Sequence, residues 1–249
     1  MPKIFCDYEL HNIDCLELFE KLPKDSVDAV IVDPPYGTTN VKWDSVIPLE
    51  EMWEGLKRVC KPNAAKVIMA AQPFTSVLIC SNLREFKYVW TWEKGQAVGF
   101  LNAKKQPLRC VEDVCVFYRD QPTYNPQMEK GKFVSIRQAG GGSDLYGSQV
   151  PTSYASDKRY PRNLIKLDEI RKRRKWIHPT EKPVGLMQYL VKTYTDPGDT
   201  VLDFAMGSGT TGVACAIERR NFIGCDNDTQ HGYFEIASKR IEKAYKIHA

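Results

Sequence analysis

Apolar positions along this chain follow two periods. Val27-Asp28-Ala29-Val30-Ile31-Val32 and Ala65 to Ala71 are short, nearly continuous apolar runs, the pattern of strands covered on both faces. Tyr88-Val89-Trp90-Thr91-Trp92, Val111 to Tyr118, Thr200 to Phe204 and Asn221 to Cys225 read as further strands, and Lys3 to Ile13 has room for a first one. Between them the apolar spacing becomes helical. Leu16, Phe19 and Leu22 share a face behind Asp14, a side chain suited to cap a helix start. Leu49, Met52, Trp53, Leu56 and Val59 do the same until Lys61-Pro62-Asn63 stops them. A helix is expected near 74–83, and another opens at Pro183 with Val184, Met187, Leu190, Val191 and Tyr194 inward. Two more are expected over Thr211 to Arg219 and from about Gly232 to Tyr245.

Strands alternating with helices predict an α/β domain with a mostly parallel sheet. The alternation dissolves from Asp120 to Trp176 into Pro, Gly, Ser and charge, including Gly140-Gly141-Gly142. That stretch has too little apolar periodicity for a core of its own and is expected to be an inserted, partly mobile segment. The predicted organisation is therefore one domain in two halves, 1–119 and 177–249, separated by an insertion at 120–176.

The net charge of +4 gains meaning once it is localised. The insertion holds 12 Lys/Arg against 6 Asp/Glu, so it is the basic part of the chain and points to a polyanionic partner. Eight scattered cysteines with no C-x-x-C pair predict reduced thiols, and four histidines at no ligand-like spacing predict no metal. No apolar run reaches the roughly 18 residues that a membrane-spanning helix needs, and the N-terminus has no signal-peptide shape. A cytoplasmic protein is expected.

Two turns carry candidate chemistry. Asp33-Pro34-Pro35-Tyr36 follows the buried run at 27–32, at the strand mouth where open α/β sheets place their sites. Two prolines make this turn stiff and leave carbonyls unpaired. A carboxylate, free carbonyls and a flat ring suit the grip of an amino group on an aromatic base.

The second turn, Asp203-Phe204-Ala205-Met206-Gly207-Ser208-Gly209-Thr210, sits between a strand and a helix. Glycines there let the backbone approach a ligand, and the helix start offers free N–H groups. Asp226, at the end of the next strand, is placed to hydrogen-bond a ribose diol. The acid at Asp203 would repel a pyrophosphate but accept from an ammonium, which favours S-adenosyl-L-methionine over NAD.

Together these motifs resemble the amino-group DNA methyltransferases that act on N6 of adenine or N4 of cytosine. The order, with the Asp33 tetrapeptide first, a variable segment next and the Asp203 turn last, is similar to the permuted β class, in particular to small solitary adenine methylases of phage and bacteria. Asn102 to Arg109 and His178-Pro179-Thr180-Glu181-Lys182-Pro183 add to the likeness. The resemblance implies a permuted Rossmann-like, S-adenosylmethionine-dependent methyltransferase fold, with a seven-stranded, mostly parallel sheet and one antiparallel strand. Asp33, Pro34, Pro35 and Tyr36 would be catalytic. Asp14, Cys15, Asp33, His178, Pro179, Thr180, Lys182, Asp203, Phe204, Met206, Gly207, Ser208, Gly209, Thr210 and Asp226 would bind the cofactor.

DNA phosphates would meet Lys104, Lys105 and Arg109, and also Arg171, Lys172, Arg173, Arg174 and Lys175. The expected activity is transfer of a methyl group to N6 of a flipped adenine in double-stranded DNA, within a restriction-modification setting and with a homodimer as one possible state. N4-cytosine methylation is the neighbouring alternative; RNA or protein-glutamine methylation, a binding-only DNA module and a nicotinamide oxidoreductase are more distant ones.

Overall fold

The computed structural model describes residues 6–38, 44–138, 140–143, 145, 147–167, 181–227 and 232–248. The chain opens with β1 (Tyr8–His11), α1 (Cys15–Lys21), β2 (Val27–Val32), α2 (Leu49–Val59), β3 (Cys60–Ala70), α3 (Phe74–Ser81), β4 (Phe86–Val98) and β5 (Arg109–Phe117). Next come β6 (Glu129–Gln138), β7 (Gly141–Ser143), β8 (Gly147–Gln149), β9 (Thr152–Arg159) and β10 (Leu164–Lys166). It closes with α4 (Val184–Tyr194), β11 (Thr200–Asp203), α5 (Thr210–Ile217), β12 (Asn221–Cys225) and α6 (Tyr233–His248).

One sheet has the order β1-β12-β11-β2-β3-β5-β4-β10. β5 runs antiparallel to both its neighbours, and every other pairing is parallel. The expected mixed sheet with one reversed strand is thus present, but with eight strands in place of seven. The extra strand is β10, whose Ile165 pairs with Trp92 and is buried while Leu164 and Lys166 are exposed. A three-residue strand with a single inward side chain has no periodicity to detect.

The strands separate two apolar layers by simple alternation. Ile31 and Val201 face Leu186, Leu190 and Tyr194 of α4 and Ile241 of α6. Their sequence neighbours Val30, Val32 and Leu202 face Phe19 of α1 and Met52 and Leu56 of α2. Pro62 lies within β3, where a central strand ordinarily excludes proline. It falls in the irregular stretch where the pairing jumps from Val27↔Cys60 to Ala29↔Ala65, so no ladder bond depends on its missing N–H. Pro183, expected as the first helical residue of α4, instead has extended geometry and precedes the helix.

Contacts divide the chain into a large unit, Met1–Asn125 with Asn163–Ala249, and a small one, Pro126–Arg162. The small unit is more regular than its composition suggested. β6 and β9 form an antiparallel ladder from Glu129↔Arg159 to Gln138↔Thr152, and β7 pairs with β8. Among the described residues no helix is long and apolar enough to cross a membrane.

Candidate active site

β2 and β11 lie side by side at the centre of the large sheet, Ala29 pairing with Val201 and Val30 with Leu202. From β2 the chain proceeds towards β3, and from β11 it proceeds towards β12, on the opposite side. Such a reversal opens a crevice at the carboxyl ends of the strands. Asp33 and Asp203 both stand at this edge, 170 positions apart in the chain but on adjacent strands.

The Asp33 turn is held by side chains. Pro34 and Pro35 have no N–H to anchor it, so the next three residues supply the anchors. The Asp44 carboxylate accepts from Tyr36 N–H at 2.8 Å and Gly37 N–H at 2.9 Å on Oδ1, and from Thr38 N–H at 2.9 Å on Oδ2. Both oxygens of Asp33 are engaged. The Tyr36 hydroxyl donates to Oδ1 at 2.6 Å, and Lys182 Nζ donates to Oδ2 at 2.6 Å. The Tyr36 ring stacks on Phe74, with centroids 5.4 Å apart and planes at 18°, and Lys182 Nζ lies 5.6 Å from its centroid. Burial, followed by the negative charges of Asp33 and Glu112, pushes the Tyr36 phenol well above its usual range, so it stays a proton donor.

Lys182 is buried and reaches a second acid, Glu112 of β5, with Nζ 3.4 Å from Oε2. Lys94 of β4 donates to the other oxygen of Glu112 at 2.8 Å. Burial alone would lower the pKa of the Lys182 ammonium. The charges of Asp33 and Glu112, with the hydrogen bond to Asp33, outweigh burial and raise it.

The Asp203 turn is held mainly by backbone. Met206 N–H donates to Cys225 O at 2.8 Å and Gly207 N–H to Asp226 Oδ2 at 2.8 Å, tying the bend to the end of β12. Gly209, at φ +74°, sets up the start of α5, and a Cβ there would stand 2.9 Å from Ile241 Cδ1. Gly207 is also at positive φ, yet a Cβ on it would meet only open space. Asp203 itself is almost fully buried, accepting from Ala205 N–H at 3.2 Å. Burial pushes its carboxyl up to about 7, against the opposing hydrogen bonds from Thr211 and Ala205. Among the described residues no Lys or Arg pairs with it. A buried acid beside an open glycine face and a helix start fits a ligand that brings its own positive charge.

The third strand end at this edge is that of β1. Asp226 N–H donates to His11 O at 3.1 Å, which brings Asp14 alongside. Asp14 caps α1, its Oδ1 accepting from Leu16 N–H at 2.9 Å. Burial and the nearby Asp14 charge push the Cys15 thiol up to about 12, so it is not a thiolate. Phe204, Met206, Ser208 and Thr210 are buried within the Asp203 turn. Lys104 and Lys105 are exposed between β4 and β5, and Arg109 is exposed at the start of β5, at the same sheet edge as Asp33. His178, Pro179, Thr180 and the run Arg171, Lys172, Arg173, Arg174 and Lys175 lie outside the described residues.

Asp44, Glu112 and Lys94 were not legible as site residues. Asp44 sits in a polar loop, where an acid is unremarkable until its three backbone partners are known. Glu112 carried a usable signal, an acid at the head of the apolar run Val111 to Tyr118. Among the described residues no group of three or more His, Cys, Asp and Glu side chains is arranged to hold a metal ion.

Comparison with known proteins identifies the family. Residues 27–239 match the family described as DNA methylase. The chain is 25% identical over 251 residues to the type II methyltransferase M1.MboII of Moraxella bovis, covering 90% of this chain and 93% of that one. It is 26% identical over 254 residues to the DNA adenine methyltransferase YhdJ of Escherichia coli, covering 93% and 81%. The solved M1.HpyAVI–SAM complex superposes with a TM-score of 0.65 at 27% identity, over 94% of this chain and 98% of that one. With the match spanning most of its length and both motif turns in place, the chain belongs to the DNA methylase family, the amino-group methyltransferases of adenine N6 and cytosine N4.

Proposed function

We propose that this DNA methyltransferase uses S-adenosyl-L-methionine to methylate N6 of an adenine flipped out of double-stranded DNA. The observation that carries this reading is the pairing of two unlike acids at one sheet edge. Asp33 stands in a rigid turn with both oxygens engaged, and Asp203 is buried with no described cation. The adenine assignment is further supported by the carboxylate at position 33, where N4-cytosine members more often carry Ser, and by the likeness to an adenine enzyme.

When bound, the cofactor supplies an electrophilic methyl group on a positively charged sulfur. Asp203 accepts from its ammonium, Gly207 to Thr210 give close backbone approach, and Asp226 and Asp14 take its hydroxyls and adenine edge. Asp226 accepts from Gly207 N–H through one oxygen, so the carboxylate that would take the ribose also braces the turn. Cys15, Phe204, Met206, His178, Pro179 and Thr180 complete the expected cofactor set, whereas Lys182, expected in the same set, is engaged by Asp33.

An exocyclic amine is a poor nucleophile because its lone pair is delocalised into the ring. The Asp33 carboxylate and the Pro34 carbonyl accept the amine hydrogens, turn the nitrogen towards tetrahedral geometry and stabilise the positive charge it acquires. Tyr36, backed by Phe74, gives the flipped base a flat surface, worth about 1–3 kcal/mol for stacking of this kind. Pro35 keeps the turn rigid. Lys104, Lys105 and Arg109, with the basic run at 171–175, grip phosphates, which gives affinity and steep salt dependence but no sequence information. The setting is the cytoplasm of a bacterial or phage-infected cell.

The test is expression in a methylation-deficient host, followed by sequencing that distinguishes modified bases. N6-methyladenine at one short motif is the expected mark. N4-methylcytosine would replace the adenine assignment, and no new mark would remove the activity altogether.

A further inference from the structure

Lys182 falls in the stretch expected to hold the cofactor, yet its ammonium is buried between two acids of the reaction centre. Nζ is 2.6 Å from Asp33 Oδ2 and 3.4 Å from Glu112 Oε2. Glu112 is held in turn by Lys94 Nζ at 2.8 Å on its other oxygen. Glu112 Oε2 is otherwise spare: it is buried and makes no close hydrogen bond among the described residues. Lys182 therefore has one short partner and one longer, under-used partner on the opposite side. The two acids and two lysines are balanced in charge, and the ammonium, lying between both acids, stays paired when it moves by about an ångström towards Glu112.

That movement would open Asp33 for its reaction. Oδ1 accepts from the Tyr36 hydroxyl and Oδ2 from Lys182, so a substrate amine arriving at Oδ2 shares that oxygen with Lys182 and weakens its hold. We infer that Glu112 and Lys182 are a positioning pair for Asp33: Lys182 holds the carboxylate in its reactive orientation before substrate binds and transfers to Glu112 when the amine takes Oδ2. The inference rests on Asp33 being the amine acceptor proposed above. No proton or bond changes hands in this step. Lys182 keeps its three hydrogens, and only its strongest partner changes.

The experiment uses the full-length enzyme with duplex DNA and tritiated S-adenosyl-L-methionine in single-turnover format. The turnover of the parent protein reports whether the chain methylates DNA at all; the ratio of variant to parent reports the positioning pair, so the two ideas fail separately. Glu112→Gln keeps shape and removes the charge. It is expected to lower the methyl-transfer rate at least tenfold, with cofactor affinity and thermal midpoint close to the parent's. Lys182→Met should lower the rate about a hundredfold, and Lys182→Arg should recover part of that. The double variant Glu112→Gln/Lys182→Met should be no slower than Lys182→Met alone, because the two act as one unit. A parent-like rate in Glu112→Gln would overturn the proposal. So would additive losses in the double variant, or losses that follow cofactor affinity or folding rather than the transfer step.

Discussion

Asp33 and Asp203 end neighbouring strands of one sheet, yet the protein treats the two carboxylates in opposite ways. Asp33 is paired within the protein, with a lysine on one oxygen and a phenol on the other. Asp203 is more deeply buried, has no described cation beside it, and is pushed up to about 7 by burial. The turns differ in the same sense. Side chains of Asp44, Tyr36 and Lys182 hold the first, whereas glycines, backbone bonds and the start of α5 hold the second. An acid whose counter-charge is built in is set for chemistry that starts from a fixed geometry. An acid left without one is set to receive a cationic ligand.

The sharpest way to break this contrast is to remove the first acid. Asp33→Ala should reduce methyl transfer to duplex DNA by at least about 10³-fold, somewhat beyond the loss expected for a single transition-state hydrogen bond. Quenched-flow transfer assays measure this. A loss under about tenfold would place the amine acceptor elsewhere.

The second acid is tested by pH. Its ionised form is the one that accepts an ammonium, and in the free protein that form appears as pH rises through about 7. Cofactor affinity should therefore climb by up to about tenfold per unit as pH approaches 7 from below, then level off. Asp203→Asn should bind more weakly at pH 8 and lose the slope. Stability without cofactor carries the opposite sign. The folded acid keeps a proton that the unfolded chain, with an ordinary value of 3.8, has released. Stability should fall as pH rises from about 4 to about 7, and thermal melts of Asp203→Asn should lack that component.

Smaller effects concern the scaffolds of the two turns. Asp44→Ala strips three backbone N–H groups of their acceptor and should cost on the order of 2 kcal/mol in chemical denaturation, with a lower transfer rate and unchanged cofactor affinity. Gly209→Ala forces a side chain into positive φ against Ile241 and should cost on the order of 1–3 kcal/mol, with cofactor affinity falling while Asp33-dependent steps persist. If both variants weakened the same step, the turns would not be separate devices.

What the sequence made legible follows from where burial is. β2, with its buried apolar run, and α2, with its one-sided face, announce themselves because the core demands their pattern. The Asp33 and Asp203 turns were legible because proline and glycine have few other uses at strand ends. β6 and β9 were not, since most of their positions are exposed and Phe133, Ile136 and Tyr154 face solvent. A ladder held chiefly by backbone bonds places little constraint on side chains. The network linking Asp33, Lys182 and Glu112 was hidden for another reason. Its members come from three distant segments, and only the fold brings Lys182 to 2.6 Å from Asp33 and 3.4 Å from Glu112.

The division of labour between the two acids is tested most directly by calorimetric titration of S-adenosyl-L-methionine into Asp33→Ala and Asp203→Asn, side by side at pH 8. Asp33→Ala should bind within about threefold of the parent, while Asp203→Asn should lose at least about tenfold, the scale of one buried charge-assisted hydrogen bond. The reverse order, with Asp33→Ala losing the cofactor and Asp203→Asn keeping it, would contradict the assignment of both.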